Sequence, residues 1–366
     1  MVTRRQFVVS AAGAAGTLAA LQGCSSGSES YEQAAQRTWR DGEDRPAPGT
    51  ALQRELVRYA TLAPSSHNTQ CWKFRIEERG ISILPDFSRR CPAVDPDDHH
   101  LFVSLGCAAE NLAQAALAHG LRAHAAFDPA QGGALRIALD PTGAVGTPLF
   151  RAITRRQCTR AEYDGRPLAM DELRLLEQAG SGAAVRVLLL TGRDAIEKVL
   201  EYVVAGNTAQ MADPAFVDEL KAWIRFSGAD AVRSGDGLYA ASSGNPSVPA
   251  WLGRRLFPLF FTPEAENERY AKHLRSSAGI AVFVSDADDR ANWVEAGRCY
   301  ERFALQATTL GIRNAFVNQP VEVGSLRPQF AAVLGLGGRR PDLVVRFGRG
   351  PEMPRSLRRP LEAVLA

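Results

Sequence analysis

Gly106-Cys107-Ala108-Ala109-Glu110-Asn111-Leu112-Ala113-Gln114-Ala115-Ala116-Leu117-Ala118-His119-Gly120-Leu121-Arg122 aligns without a gap on Gly297-Arg298-Cys299-Tyr300-Glu301-Arg302-Phe303-Ala304-Leu305-Gln306-Ala307-Thr308-Thr309-Leu310-Gly311-Ile312-Arg313, 191 positions further on. Six of the seventeen positions are identical, and Leu112/Phe303 and Leu121/Ile312 keep their apolar character. Each stretch reads as a helix rich in small residues, stopped by a glycine where the chain takes a left-handed turn. Each then runs toward a strand, at 135–139 in one case and 343–347 in the other. The approaches rhyme as well: a helix at 51–62 precedes a strand at 72–76, and a helix at 170–179 precedes a strand at 185–190. One α+β unit is therefore expected twice, over 50–145 and 146–366. A period near 190 is far too long for a solenoid, so the pattern predicts a fused pseudo-dimer with helices packed around modest sheets. The second unit is longer, and its surplus, about 194–274, is expected to act as a lid. Within it, 227–249 reads as a loose Gly/Pro-containing loop.

Composition excludes several classes. With 366 residues, 45% hydrophobic and 23% charged, the chain is neither disordered nor fibrous. The formal charge is +3, and setting aside Arg4 and Arg5 in an acid-free leader leaves +1, so nothing argues for a nucleic-acid partner. Beyond the N-terminus no apolar run reaches ~18 residues, which excludes a multi-span helical membrane protein.

Residues 1–23 are similar to a twin-arginine export signal: Thr3-Arg4-Arg5-Gln6-Phe7, then an apolar stretch from Val8 to Leu21. Leu21-Gln22-Gly23-Cys24 resembles a lipobox, which implies lipidation of Cys24 and a periplasmic, cell-envelope lipoprotein. Residues 24–49, Ser/Gly/Pro-rich and charged, suit a tether. Gly23-Cys24-Ser25-Ser26-Gly27 also fits a hydrolase nucleophile elbow, but no strand precedes it. The five remaining cysteines are odd in number and never spaced Cys-x-x-Cys, so isolated buried thiols are expected.

Ala63-Pro64-Ser65-Ser66-His67-Asn68-Thr69-Gln70-Cys71-Trp72-Lys73-Phe74 resembles the A-P-S-S-x-N-x-Q-P-W-x-F signature of flavin-dependent nitroreductases. Arg155-Arg156-Gln157-Cys158-Thr159-Arg160 is similar to their R-R-S-x-R element, and Arg358-Arg359-Pro360-Leu361-Glu362 to their closing R-x-P-L-E. Phe316-Val317-Asn318-Gln319-Pro320-Val321-Glu322 and the fused arrangement resemble the exported, Acg-like branch. The resemblance runs from about residue 50 to the C-terminus. It implies a nitroreductase-like fold, FMN as cofactor, and a cofactor site drawn from Ser65, Ser66, Asn68, Gln70, Arg155, Arg156, Arg160, Asn318, Gln319 and Arg358. It also implies reduction of a small planar acceptor, with donor and acceptor unspecified.

The residue types suit that chemistry. Guanidiniums give a dianionic phosphate forked, charge-assisted hydrogen bonds, though Arg pairs are also ordinary surface residues. A loop of Ser, Asn and Gln presents donors and acceptors to a ring edge, though the same residues make ordinary turns. The family's homodimers build each site from the phosphate grip of one subunit and the serine loop of the other. Here the first half keeps the serine loop without an Arg-Arg element. The second keeps Arg155 and Arg156, but has Ser181-Gly182-Ala183-Ala184 where its serine loop belongs. One composite site, in a monomeric pseudo-dimer, is expected. Gln157-Cys158 and Cys71 depart from the family's serine and proline.

No catalytic side chain is evident, and no metal is expected. Asp95-Pro96-Asp97-Asp98-His99-His100 reads as an aspartate cap on a helix, because adjacent histidines there point about 100° apart. His67 beside Ser65 and Ser66 is not the layout of a triad, and the glycines at 335, 337 and 338 complete no dinucleotide loop. An FMN-binding, nitroreductase-like oxidoreductase that reduces a small planar acceptor through its flavin is the leading expectation. A protein that holds FMN without turnover is the alternative, since a long lid serves occlusion as well as gating.

Overall fold

The computed structural model describes residues 29–42 and 47–366; residues 1–23, where an export signal is expected, and Cys24 lie outside the described residues. The first unit comprises α1 (Tyr31–Thr38), α2 (Thr50–Thr61), β1 (Trp72–Glu77), β2 (Gly80–Pro85), α3 (His99–Ala118), β3 (Leu121–Asp128) and β4 (Ala134–Pro141). Its strands form an antiparallel sheet in the order β1-β2-β4-β3.

After α4 (Pro148–Ala152) the second unit begins with α5 (Met170–Gly180) and β5 (Val185–Leu190). An insertion follows: α6 (Arg193–Met211), α7 (Pro214–Trp223), β6 (Ile224–Arg225), α8 (Gly228–Ser234), β7 (Leu238–Tyr239), α9 (Ala250–Phe260) and α10 (Pro263–Arg275). The chain then resumes with β8 (Gly279–Ser285), α11 (Arg290–Thr309), β9 (Arg313–Phe316), α12 (Gln319–Glu322), α13 (Arg327–Val333), β10 (Pro341–Gly348) and α14 (Leu361–Val364). The second sheet, antiparallel and ordered β5-β8-β10-β9, matches the first strand for strand. Most of the surplus lies between its first two strands, and α12 and α13 add a smaller one between β9 and β10.

The two units meet on α3 and α11, and small residues set how closely. A Cβ on Gly106 would stand 2.0 Å from the Val294 carbonyl oxygen, and one on Gly297 would stand 1.9 Å from that of Val103. The contacts are reciprocal, since 106 and 297, and 103 and 294, are both 191 apart. α3 is long and apolar enough to cross a membrane, yet it is buried between α2, α11 and its own sheet.

The sheets differ in how they are covered. β4 alternates buried and exposed residues and β3 is largely open, as for a sheet with one solvated face. Every residue of β8 and β10 is buried. Phe283, Val345 and Phe347 pack toward α11, while Ile280, Val282 and Val344 pack under α6 and its neighbours. The insertion thus gives the second sheet a second covered face.

Two expectations need correction. Residues 227–249 are not a structureless loop. Ser227 caps α8 through the Asp230 N–H, β7 pairs with β6, and a 3-10 turn follows at Ala240–Ser243. Nor is all of 24–49 a tether. Ser30 and Gln33 form a capping box on α1, the Trp39 indole donates to the Ser356 carbonyl at 2.9 Å, and Tyr31 lies 4.4 Å from Tyr239, ring to ring. Aromatic residues at its end bind this segment to the body.

Candidate functional site

A cavity of about 560 Å³ opens between the units, within the usual size range of small-molecule sites. Pro64–His67 and the start of α3 (His100, Val103, Ser104, Cys107) form one side. Arg160, 315–319, Leu343 and Arg346 of the second unit form another, and the insertion closes the rest with α7, α9 and α10.

The serine turn follows the C-terminus of α2, whose last carbonyls need donors. Two arginines supply them. Arg358 donates to the carbonyls of Thr61 (2.7 Å), Leu62 (2.9 Å) and Ala63 (3.0 Å), and Arg156 to that of Leu62 (2.8 Å). Arg156 also lies 3.0 Å from the buried Glu301 carboxylate. The next residues bend through left-handed backbone, with φ of 47° at His67, 54° at Asn68 and 54° at Gln70. Such strain persists only where surroundings enforce it. Here the Asn68 amide donates to the carbonyls of Gly237 and Leu357, and the Gln70 amide donates to Gly235 while accepting from the Arg359 N–H.

Of the residues selected from sequence, the structure therefore brings Ser65, Ser66, Arg160, Asn318 and Gln319 to the cavity. Arg156, Arg358, Asn68 and Gln70 stand behind the turn and shape it. Arg155 is exposed and donates to the Arg151 carbonyl. The cysteines Cys71, Cys91, Cys107, Cys158 and Cys299 are all unpaired. Asp95 accepts from the backbone N–H groups of His100 and Leu101, both at 3.0 Å, so the aspartate cap on α3 is Asp95.

The cavity's polar groups are unevenly employed. Ser65 Oγ accepts from the Gln70 N–H, and Asn318 Oδ1 from the Val344 N–H. The buried Gln319 Oε1 and His67 Nδ1 have no hydrogen-bond partner among the described residues. Burial, with Arg160 and His100 nearby, lowers the His67 imidazole to about 4. Burial beside Arg346, Arg269 and Arg160 lowers His273 to about 3. Both are neutral at pH 7, so the fixed positive charge comes from arginines. Arg269 is paired with Glu266. Arg346, buried in β10, donates to the carbonyls of Thr159 (3.0 Å) and Ala161 (2.8 Å) with its guanidinium over the Tyr163 ring. These bonds flank Arg160 and fix its position. Arg160 itself has neither a hydrogen-bond acceptor nor a carboxylate partner among the described residues.

Sequence reasoning missed His100, Ser104, Arg269, Tyr270 and Arg346. Arg346 carried a signal, a lone charge inside the apolar strand Leu343-Val344-Val345-Arg346-Phe347. The others lie on helices whose facing only packing reveals.

At the related position of the second unit the space is filled. Shifting Val103, Ser104 and Cys107 by 191 gives Val294, Glu295 and Arg298. Glu295 pairs with Arg298 at 3.1 Å and Arg302 at 3.4 Å, and Arg302 reaches Glu110 at 2.9 Å. The turn at Gly182 closes on them, a Cβ there falling 2.7 Å from the Glu295 carboxylate.

No protein-family model matches the chain. It is 26% identical over 331 residues to Rv3131 of Mycobacterium tuberculosis, provisionally named an NAD(P)H nitroreductase, covering 87% of this chain and 92% of that protein. It is 24% identical over 332 residues to Acg of the same organism, named likewise, covering 86% and 95%. Among solved structures, the FMN-dependent nitroreductase NfnB of Mycobacterium smegmatis, in complex with NADPH, is similar at 15% identity and a TM-score of 0.39, over 59% of this chain and 96% of that one. A likeness that loose carries no argument.

Proposed function

As a distant homologue of Rv3131 and Acg the chain belongs to the nitroreductase family, and on that premise we propose that it is an oxidoreductase holding one FMN in the cavity between its units. The observation that carries this is Arg160, which stands at a cavity wall between two backbone carbonyls held by Arg346 and whose guanidinium has no acceptor among the described residues. The residues fit the cofactor. Arg160 suits its phosphate, and Ser66, Asn318 and the unpartnered Gln319 Oε1 suit the polar edge of its ring. FMN bound there would supply the redox chemistry. The chain's own residues would hold and orient it, while the buried Phe257 of α9 helps exclude water. Matching sheet orders and the reciprocal glycine contacts favour a duplicated unit with one surviving site. The leader motifs favour export by the twin-arginine route and anchoring at Cys24 in the cell envelope.

Arg160→Ala removes a charge-assisted contact worth about 1.5–3 kcal/mol, so FMN affinity should fall by roughly one to two decades while riboflavin binds as before. Unchanged FMN affinity would refute the assignment. Stopped-flow reduction by NADH, NADPH and a non-nucleotide reductant then separates enzyme from carrier. A flavin that stays oxidised against all three would make this an FMN-holding protein.

A further inference from the structure

α9 presents a face that nothing among the described residues covers. Its inward side is tightly seated: Phe257 is buried, and a Cβ on Gly253 would fall 2.3 Å from the Phe226 ring. Outward it shows Trp251, Arg254, Arg255, Pro258 and Leu259, with Phe260 at its end. Trp251, Leu259 and Phe260 are 68%, 69% and 72% exposed, beyond any other large hydrophobic residue among those described. No acidic residue occurs between Asp236 and Glu264, and Arg254 and Arg255 make no ion pair among the described residues.

We propose that α9 docks on the surface of an anionic lipid bilayer, lying in the plane of the headgroups. Trp, Leu and Phe beside arginines on one short helix match the chemistry of that interface, where apolar rings enter the acyl boundary and guanidiniums meet phosphate. Eleven residues rise only about 16 Å, too little to span the hydrocarbon, so the helix lies flat. A second copy is a poorer occupant, because a two-fold contact would oppose the unpaired Arg254 and Arg255 with no acid to meet them. Leu256, Phe257 and Phe260 also line the cavity, so docking turns the cavity's α9 side toward lipid. The inference rests on the helix and does not depend on the flavin.

The test uses the purified full chain with vesicles of phosphatidylcholine alone or mixed with acyl-brominated phosphatidylglycerol, reading tryptophan quenching. The leader is the same in every protein, so differences between variants report α9. Phosphatidylglycerol vesicles should quench the parent, and Trp251→Phe should lose most of that quenching. Arg254→Ala with Arg255→Ala should partition roughly 10- to 30-fold more weakly, from about 1 kcal/mol per arginine at an anionic surface. These residues do not line the cavity, and circular dichroism with separately measured flavin content checks the fold and the flavin assignment. Equal quenching in parent and Trp251→Phe, unchanged partitioning of the arginine variant, or a lipid-free dimer that shields Trp251 would each overturn the proposal.

Discussion

Replacing Gly297 with alanine tests the joint on which the site is assembled. The new Cβ would sit 1.9 Å from the Val103 carbonyl oxygen, where real contacts do not fall below 3.0 Å, so α3 and α11 must part by about 1.1 Å. Both sides of the contact are helix backbone, and no side-chain rotation relieves it. Overpacking of a core costs about 1–3 kcal/mol, and a backbone clash without a rotamer escape belongs at the upper end, about 3 kcal/mol. Gly106→Ala, with its Cβ 2.0 Å from the Val294 carbonyl, should cost the same. The double variant should cost about 4 rather than 6 kcal/mol, because the first alanine has already separated the helices that the second would push. Equilibrium urea unfolding followed by tryptophan emission reads all three. His100, Val103, Ser104 and Cys107 move with α3, so FMN titrations should weaken in parallel. Single variants costing under ~1 kcal/mol, or strictly additive ones, would show that the two helices are not in fixed register through these glycines.

Arg358→Ala should contrast with Arg160→Ala: it leaves the carbonyls of Thr61, Leu62 and Ala63 without their donor and should lower stability by about 3 kcal/mol in urea, whereas Arg160→Ala leaves stability unchanged. Equal stability losses would refute that division of labour. The buried His67 takes a proton only near pH 4 in the folded chain and at the ordinary imidazole value when unfolded, so the unfolded state binds more protons in between, and stability falls as pH drops from about 6.5 to 4. The His67→Gln variant should show a shallower fall, by at most roughly 3 kcal/mol, in urea unfolding across that range; identical slopes would place the imidazole in solvent. If FMN is loaded before export, Arg4→Lys with Arg5→Lys should retain a folded, flavin-loaded precursor in the cytoplasm, and a folded precursor whose denatured extract shows no flavin fluorescence would contradict this.

Much was legible in the sequence because periodicity is local. The seventeen-residue repeat and its glycine stops fall on α3 and α11, and the expected strands at 72–76, 135–139, 185–190 and 343–347 lie in the two antiparallel sheets. Short loops were harder, since Ser227 and Asp230 cap a helix through contacts that composition alone does not specify. The tether was misjudged for a related reason: α1 holds its place through Tyr239 and the Ser356 carbonyl, both more than 200 residues away.

The sequence by itself determined the class of groups at the site: arginines near 155–160 and 358, and a Ser/Asn/Gln turn after α2. Which of them face the cavity was a tertiary decision. Arg156 and Arg160 are four residues apart in one motif, yet one ties the end of α2 and the other faces the cavity. The difference lies in what surrounds each guanidinium. Unsatisfied carbonyls at a helix C-terminus draw in Arg156 and Arg358, while Arg346, from a strand almost two hundred residues later, occupies the carbonyls on either side of Arg160 and leaves its charge unmatched. A buried polar group takes the partner that folding brings to it, and linear spacing does not record which partner that is.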